Sequence, residues 1–400
     1  MPFKPLSKHW LEAATVILAA GAQRNGRAGT ASGPPAGPPC PGPGRFDYRV
    51  LMLQRSGKSG FMPNAKVFPG GVVDASDFSE KWLDVFKAAG FETDFEFEKL
   101  CRVEVHEGRS PMFTGQRDSP VPNEVGYRIS AIRETFEESG VGYRISAIRE
   151  TFEESGVLLV RPWRASGPAT WPLPASELAR WRKRVDGDAR QFLQLCNECR
   201  CVPDVWSLHE WSNWLTPAIP GMPNRRRYDT AFFICCLDHI PPAARDDREI
   251  VKAQWLTPAE VLHDFRHGKH IIPPPQVYEL SRLCQLPSLV DLNHFSRERG
   301  AQGCERWLPV VFPCEDGQVS ALPGDDLYPT RDDPEVLQGR HLSSTVAELR
   351  QSASRLHRSE ILPGSGLPAW ETRCNIPPKF GHISPMQDVF QFVERIQSKL

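Results

Sequence analysis

Two stretches of this chain, residues 126–141 and 142–157, carry the same sixteen letters, GYRISAIRETFEESGV. Each sets three glutamates at i, i+3 and i+4: Glu134, Glu137 and Glu138 in the first copy, Glu150, Glu153 and Glu154 in the second. On a helix that spacing gathers the carboxylates on one face. Like charges so placed repel by roughly 0.2–0.5 kcal/mol per pair, so a helix that keeps them calls for a cation. Mg²⁺ or Mn²⁺ suits the donor set, because hard divalent ions prefer oxygen ligands. The bland use of the same residues is an exposed, solvated helix face.

The elements that must position these carboxylates are legible around them. The apolar run 13–21 (AATVILAAG) reads as a buried strand, 47–54 (DYRVLMLQ) as the next, with a Gly/Pro-rich loop between. Val67-Phe68-Pro69-Gly70-Gly71 ends a short strand in a tight turn. Without a Cβ, Gly70 and Gly71 let backbone approach a metal or phosphate closely. A long insertion with a helix at 79–89 follows Asp77. Residues 157–161 (VLLVR) read as a strand, 175–196 as an Arg-rich helical region, and 228–237 (YDTAFFICCL) and 249–255 as further strands. Pro258 opens a helix.

Composition narrows the class. With 40% hydrophobic and 24% charged residues, the 400-residue chain reads as an ordinary globular protein. Its net charge of −1 argues against general nucleic-acid binding. No apolar run has the length of a membrane span, and no signal-peptide pattern is expected at the N-terminus. The odd count of 11 cysteines favours free thiols; Cys196, Cys199 and Cys201 resemble half a zinc site but lack a second pair. The last residues, Ser398-Lys399-Leu400, read as a peroxisomal address for an import receptor rather than as the plain end of the amphipathic stretch 387–396.

Together these pieces resemble the Nudix hydrolases, whose signature joins a glycine turn to the sequence Arg-Glu-x-x-Glu-Glu-x-Gly. Here Gly71 supplies the glycine half, and Arg149-Glu150-Thr151-Phe152-Glu153-Glu154-Ser155-Gly156, or the copy from Arg133, the helical half. Two features depart from the pattern: Asp77 stands where the family has Glu, and the short spacer has become a long insertion. The resemblance implies an α/β (α+β) Nudix fold: a mixed β-sheet sandwiched between helices, a long insertion inside the Nudix box and a helical C-terminal extension. It implies a Nudix domain over 10–264 with an insertion at about 78–141, a mainly helical extension over 265–397, and the tripeptide 398–400.

The split signature and the terminal tripeptide are most similar to family members that cleave coenzyme A. The segments Phe61-Met62-Pro63, Trp211-Ser212-Asn213-Trp214-Leu215-Thr216-Pro217 and Asp229-Thr230-Ala231-Phe232-Phe233 add to that likeness. The implied reaction is Mg²⁺-dependent hydrolysis of coenzyme A and acyl-CoA at the diphosphate. The implied products are adenosine 3′,5′-bisphosphate and (acyl-)phosphopantetheine. The alternatives are another nucleoside-diphosphate-linked substrate, such as a dinucleotide or RNA cap, or a non-catalytic binder of CoA esters.

The second copy runs directly into Val157-Leu158-Leu159-Val160, a tight helix-to-strand link, whereas an upstream loop absorbs sixteen more residues cheaply. Glu150, Glu153 and Glu154 are therefore expected to hold the metal, with Arg149 orienting a carboxylate, and 126–141 to lengthen the insertion. Glu249, six residues before Trp255, is the expected general base by the resemblance. Arg55, Gly70 and Gly71 are expected at the phosphates. Arg225, Arg226 and Arg227 form either a fork for the 3′-phosphate or a solvated turn. Trp211 and Trp214 serve either as core or as a platform for adenine.

Overall fold

The computed structural model describes residues 10–22, 45–57, 62–101, 108–139, 158–163, 173–218, 226–241, 250–329, 339–362 and 369–398. Eight strands form the main sheet: β1 (Leu11–Gly21), β2 (Tyr48–Arg55), β3 (Lys66–Val67), β4 (Gly70–Val72), β5 (His209–Leu215), β6 (Tyr228–Leu237), β7 (Ile250–Leu256) and β8 (Arg306–Trp307). Their order is β8-β5-β6-β1-β2-β3, with β4 also pairing β1 and β7 pairing β2. The sheet is mixed. β1 and β6 run parallel from Leu11↔Tyr228 to Ala20↔Leu237, while β2 and β4 pair antiparallel to β1.

The near-continuous apolar runs of β1 and β6 follow from burial on both faces. Ala14, Val16, Leu18 and Ala20 point into one core with Ala231, Phe233 and Cys235; Ile17 and Ala19 point into the other with Phe232 and Ile234. Helix α1 (Asn123–Ser139) contributes Ile129, Ile132 and Phe136 to the first core. The second core receives α2 (Pro258–Arg266), α3 (Pro274–Leu283) and α4 (Leu289–Gly300) through Leu262, Val277, Leu280 and Leu292. Pro258 occupies the first turn of α2, and Thr257 and Glu260 close a reciprocal capping box before it.

Trp211 and Trp214 are core. Both indole N–H groups donate to the buried carboxylate of Glu279 on α3, at 2.7 and 2.8 Å. Arg282 donates to the same carboxylate from the next turn. Cys196, Cys199 and Cys201 are also buried, in the first core. The strand expected at 157–161 forms at Val160–Pro162; among the described residues it pairs with Cys201–Pro203 and lies outside the main sheet. Among the described residues no helix is long and apolar enough to cross a membrane.

The C-terminal region contains helices, including α5 (Val389–Gln397), but it also folds a sheet that periodicity did not reveal. Val310–Pro313, Gln318–Ala321, His357–Leu362 and Ala369–Cys374 pair antiparallel in that order. Strands of four to six residues are too short for an alternating pattern to stand out between prolines. This region is pinned by a buried ion pair. Arg358 donates to both carboxylate oxygens of Asp325, at 2.7 and 2.6 Å, and both side chains are 0% exposed. Asp325 also accepts from the His357 and Leu327 backbone N–H groups. Replacing Asp325 with Ala strands the guanidinium in the interior. We expect chemical denaturation to show a loss of about 3–5 kcal/mol, typical of a broken buried pair.

Candidate active site

The site grows from the contact between α1 and the turn leading into β4. Gly70 pairs with Thr15 of β1, which leaves its N–H free to donate to Glu138 Oε2 at 2.8 Å. A Cβ on Gly70 would stand 2.4 Å from the Ala14 carbonyl oxygen, and the residue has a φ of +154°. A Cβ on Gly71 would stand 2.1 Å from Glu134 Oε2. The two glycines thus serve different purposes: Gly70 lets the backbone cross β1, and Gly71 makes room for a carboxylate.

Arg133 organises the acidic face. Its Nε and Nη2 each donate to Asp77 at 2.8 Å, its Nη2 also to the Val72 carbonyl, and its Nη1 to Glu134 (2.8 Å) and Glu137 (2.7 Å). Asp77 is buried and accepts from the Asp74 N–H, within a reciprocal cap that starts a short 3-10 turn, Ala75–Phe78. Asp77, which looked like a departure from the glutamate of the signature, anchors the arginine. The sequence signal for it was the six-residue distance from Gly71.

The electrostatics describe a site built for a cation. Glu134 and Glu137 retain 13% and 14% side-chain exposure. Burial pushes Glu138 up to about 8, and Glu134 pushes the same way; the Gly70 N–H and the Arg55 charge pull it back. Burial likewise raises Glu137 to about 8 against the pull of Arg133. Glu134 is raised by burial, with Arg133 opposing and Asp77 adding to the rise. One guanidinium does not neutralise three crowded carboxylates. An all-oxygen set of this kind fits a hard divalent ion.

The structure departs here from the expectation that 126–141 lengthens the insertion. The first copy forms the acidic helix beside the turn, while Arg149, Glu150, Glu153 and Glu154 lie outside the described residues. The physical reason is in residues that precede the repeat. Asn123 donates to the Met112 and Gly115 carbonyls, and Glu124 pairs with Arg109 at 3.1 Å. The corresponding positions before the second copy are Ser139 and Gly140. The strand after the second copy is not in the main sheet, so no tight link to that sheet constrains the choice. Within the first copy, Tyr127 donates to Glu12 of β1, as does Arg117 from before the repeat, and Gly126 lies against the Phe78 ring.

Of the other expected residues, Arg55 lies near enough to Glu138 for its charge to act there. Arg227 stands apart, stacked on Trp10 at 3.8 Å, and its carbonyl accepts from Leu11, four residues before Thr15 along β1. Arg226 is exposed. Arg225 and Glu249 lie outside the described residues.

The two glycines separate stability from catalysis. Gly70→Ala should lower unfolding free energy by about 1–3 kcal/mol, because its Cβ meets backbone that cannot yield. Gly71→Ala meets only the end of the Glu134 side chain. It should leave the melting temperature nearly unchanged and lower kcat about 10–100-fold by displacing that carboxylate. Thermal melts and rates on both variants check the contrast.

Comparison with known proteins finds relatives along nearly the whole chain. The family described as the NUDT19 Nudix domain matches residues 10–142 and 140–283, dividing at the junction of the two copies. The NUDT19 C-terminal domain matches residues 311–364. A Xenopus laevis protein, acyl-coenzyme A diphosphatase NUDT19, is 42% identical over 95% of this chain and 96% of its own. The Gallus gallus protein of that name is 42% identical over 96% of each chain. The Homo sapiens protein is 39% identical over 96% of this chain and 97% of its own. With a family match from residue 10 to 283 and relatives aligned along nearly their whole length, the chain belongs to the NUDT19 family of Nudix hydrolases.

Proposed function

We propose that this chain hydrolyses the diphosphate bond of coenzyme A and acyl-CoA esters with Mg²⁺ or Mn²⁺, giving adenosine 3′,5′-bisphosphate and (acyl-)4′-phosphopantetheine. The names of the full-length relatives support the substrate class. The carrying observation is that Glu134 and Glu138 meet the Gly70-Gly71 turn while Arg133, held by Asp77, binds Glu134 and Glu137 beside them.

Glu134, Glu137 and Glu138 would hold the divalent ion, which when bound offsets diphosphate charge and lowers the pKa of a coordinated water. Arg133 fixes the directions of Glu134 and Glu137, and Asp77 fixes Arg133, so the carboxylates need little reorganisation. The Gly70 N–H holds Glu138 in place and favours its ionised form against the effect of burial. Arg55 adds positive charge at the same end of the site and is suited to a phosphate oxygen.

Purified protein incubated with coenzyme A and Mg²⁺ should give the two products by mass, and a chelator should abolish them. Glu138→Gln should lower kcat at least about 100-fold, since metal stabilisation of the transition state is worth several kcal/mol. Its amide oxygen can still accept from Gly70, so the melting temperature should not fall. Glu154→Gln should keep activity within about twofold. Loss of activity in Glu154→Gln alone would move the site to the second copy. Retention of coenzyme A uncleaved by folded, metal-loaded protein would indicate a binder.

We also propose that Ser398-Lys399-Leu400 directs the chain to the peroxisome through the import receptor that reads this address. Ser398 is exposed at the end of α5; Lys399 and Leu400 lie outside the described residues. A fluorescent fusion ahead of residue 1 should be punctate in cells and become diffuse when Leu400 is removed. An unchanged pattern rules this address out.

A further inference from the structure

Away from the acidic helix, α2 and α5 bring a different donor set together. His263 on α2, His267 just beyond its end and Glu394 on α5 each offer one ligand atom, all within 4.8 Å of one another. His263 Nε2 lies 3.8 Å from Glu394 Oε2, and His267 Nε2 lies 3.7 Å from Glu394 Oε1. The spacing His263–His267 is i, i+4, which puts both rings on one side of the helix end; their centroids are 4.2 Å apart.

The second observation concerns tautomer. His267 Nδ1 lies 2.9 Å from the His263 carbonyl oxygen. A carbonyl only accepts, so Nδ1 carries the hydrogen and the neutral ring keeps its lone pair on Nε2, facing Glu394. A backbone carbonyl on the far ring nitrogen is the usual way a protein orients a metal-binding imidazole. The helix pair also holds Glu394 in position: Phe265 packs on Phe390 at 6.1 Å, and Val393 is buried.

We propose that His263, His267 and Glu394 bind one Zn²⁺ or a similar imidazole-preferring transition ion, bracing the C-terminal helix against α2. Two imidazoles and a carboxylate favour such an ion over Mg²⁺, which the oxygen-only site on α1 suits. Bonds of about 2.0–2.1 Å in a tetrahedron set ligand atoms about 3.3 Å apart, so ligand atoms that now lie within 4.8 Å of one another must close inward through rotation of these surface side chains. The remaining coordination belongs to water, since His267 and Glu394 are 46% and 47% exposed. Asp264, between the two histidines, is engaged by Lys269 at 2.8 Å, with His270 4.0 Å away. The site is thus a brace on an open surface.

The test uses full-length, metal-stripped protein titrated with ZnCl₂ in excess Mg²⁺, followed by calorimetry, so that the carboxylates on α1 are already occupied. The native chain should bind one Zn²⁺ at this site and melt higher when loaded. His267→Gln and Glu394→Gln should each weaken that binding at least about tenfold and remove the Zn²⁺-dependent rise in melting temperature. Both lie on the surface, so their metal-free melting temperature and Mg²⁺-dependent activity should match the native chain and exclude misfolding. Absence of Zn²⁺ binding to the native chain, or affinity unchanged in both variants, would overturn the proposal.

Discussion

The guanidinium of Arg133 is the constraint on which the acidic site depends. It spends two donors on Asp77 and a third on Glu134 and Glu137 together, and it is nearly excluded from water. A buried cation of this kind is tolerable only when anions surround it, and the anions only when it is present. That mutual need ties the end of β4 and the short 3-10 segment that follows it to the last turns of α1, with Asp77 and Arg133 separated by 56 positions. It also leaves a deficit of positive charge on the glutamate face, which is what makes the face useful. A fully neutralised cluster would be a structural ion-pair network with no affinity left for metal.

Much of this was legible in the sequence, and the reason is local chemistry. Carboxylates at i, i+3 and i+4 declare a common helix face wherever the helix docks, and paired glycines after a short strand declare a close approach. The strands β1, β2 and β6 were visible because burial on both faces demands apolar runs. What the sequence obscured was long-range. Asp77 looked like a weakened signature residue, because its bidentate grip on Arg133 requires knowing that the 3-10 turn folds back onto α1. The four-stranded C-terminal sheet was hidden by the brevity of its strands. Trp211 and Trp214 were ambiguous until Glu279, from a helix more than sixty residues later, accounted for both indole N–H groups.

The identical copies show how docking selects between equal sequences. Every residue that forms the acidic face is duplicated, so the face itself offers no preference. The choice falls to Asn123 and Glu124, which stand just before the repeat and fasten the start of α1 to the Met112–Gly115 carbonyls and to Arg109. Loop length bears only on the connection after the helix. The stronger constraint was at its beginning, where hydrogen-bonding side chains satisfy groups that the second copy would meet with Ser139 and Gly140.

The parallel pairing of β1 with β6 has a consequence for how the chain reaches this state. β1 occupies the centre of the sheet, yet its partner along its whole length begins at Tyr228, more than two hundred residues later. Contacts of such separation require loop-closure entropy to be met before they give any return, and they slow folding. During synthesis, at about 5–20 residues per second, the apolar strand emerges many seconds before β6 exists to cover its edge. Over that interval one edge of the apolar strand Leu11–Gly21 is uncovered, which calls for chaperones that hold exposed apolar strands on the nascent chain.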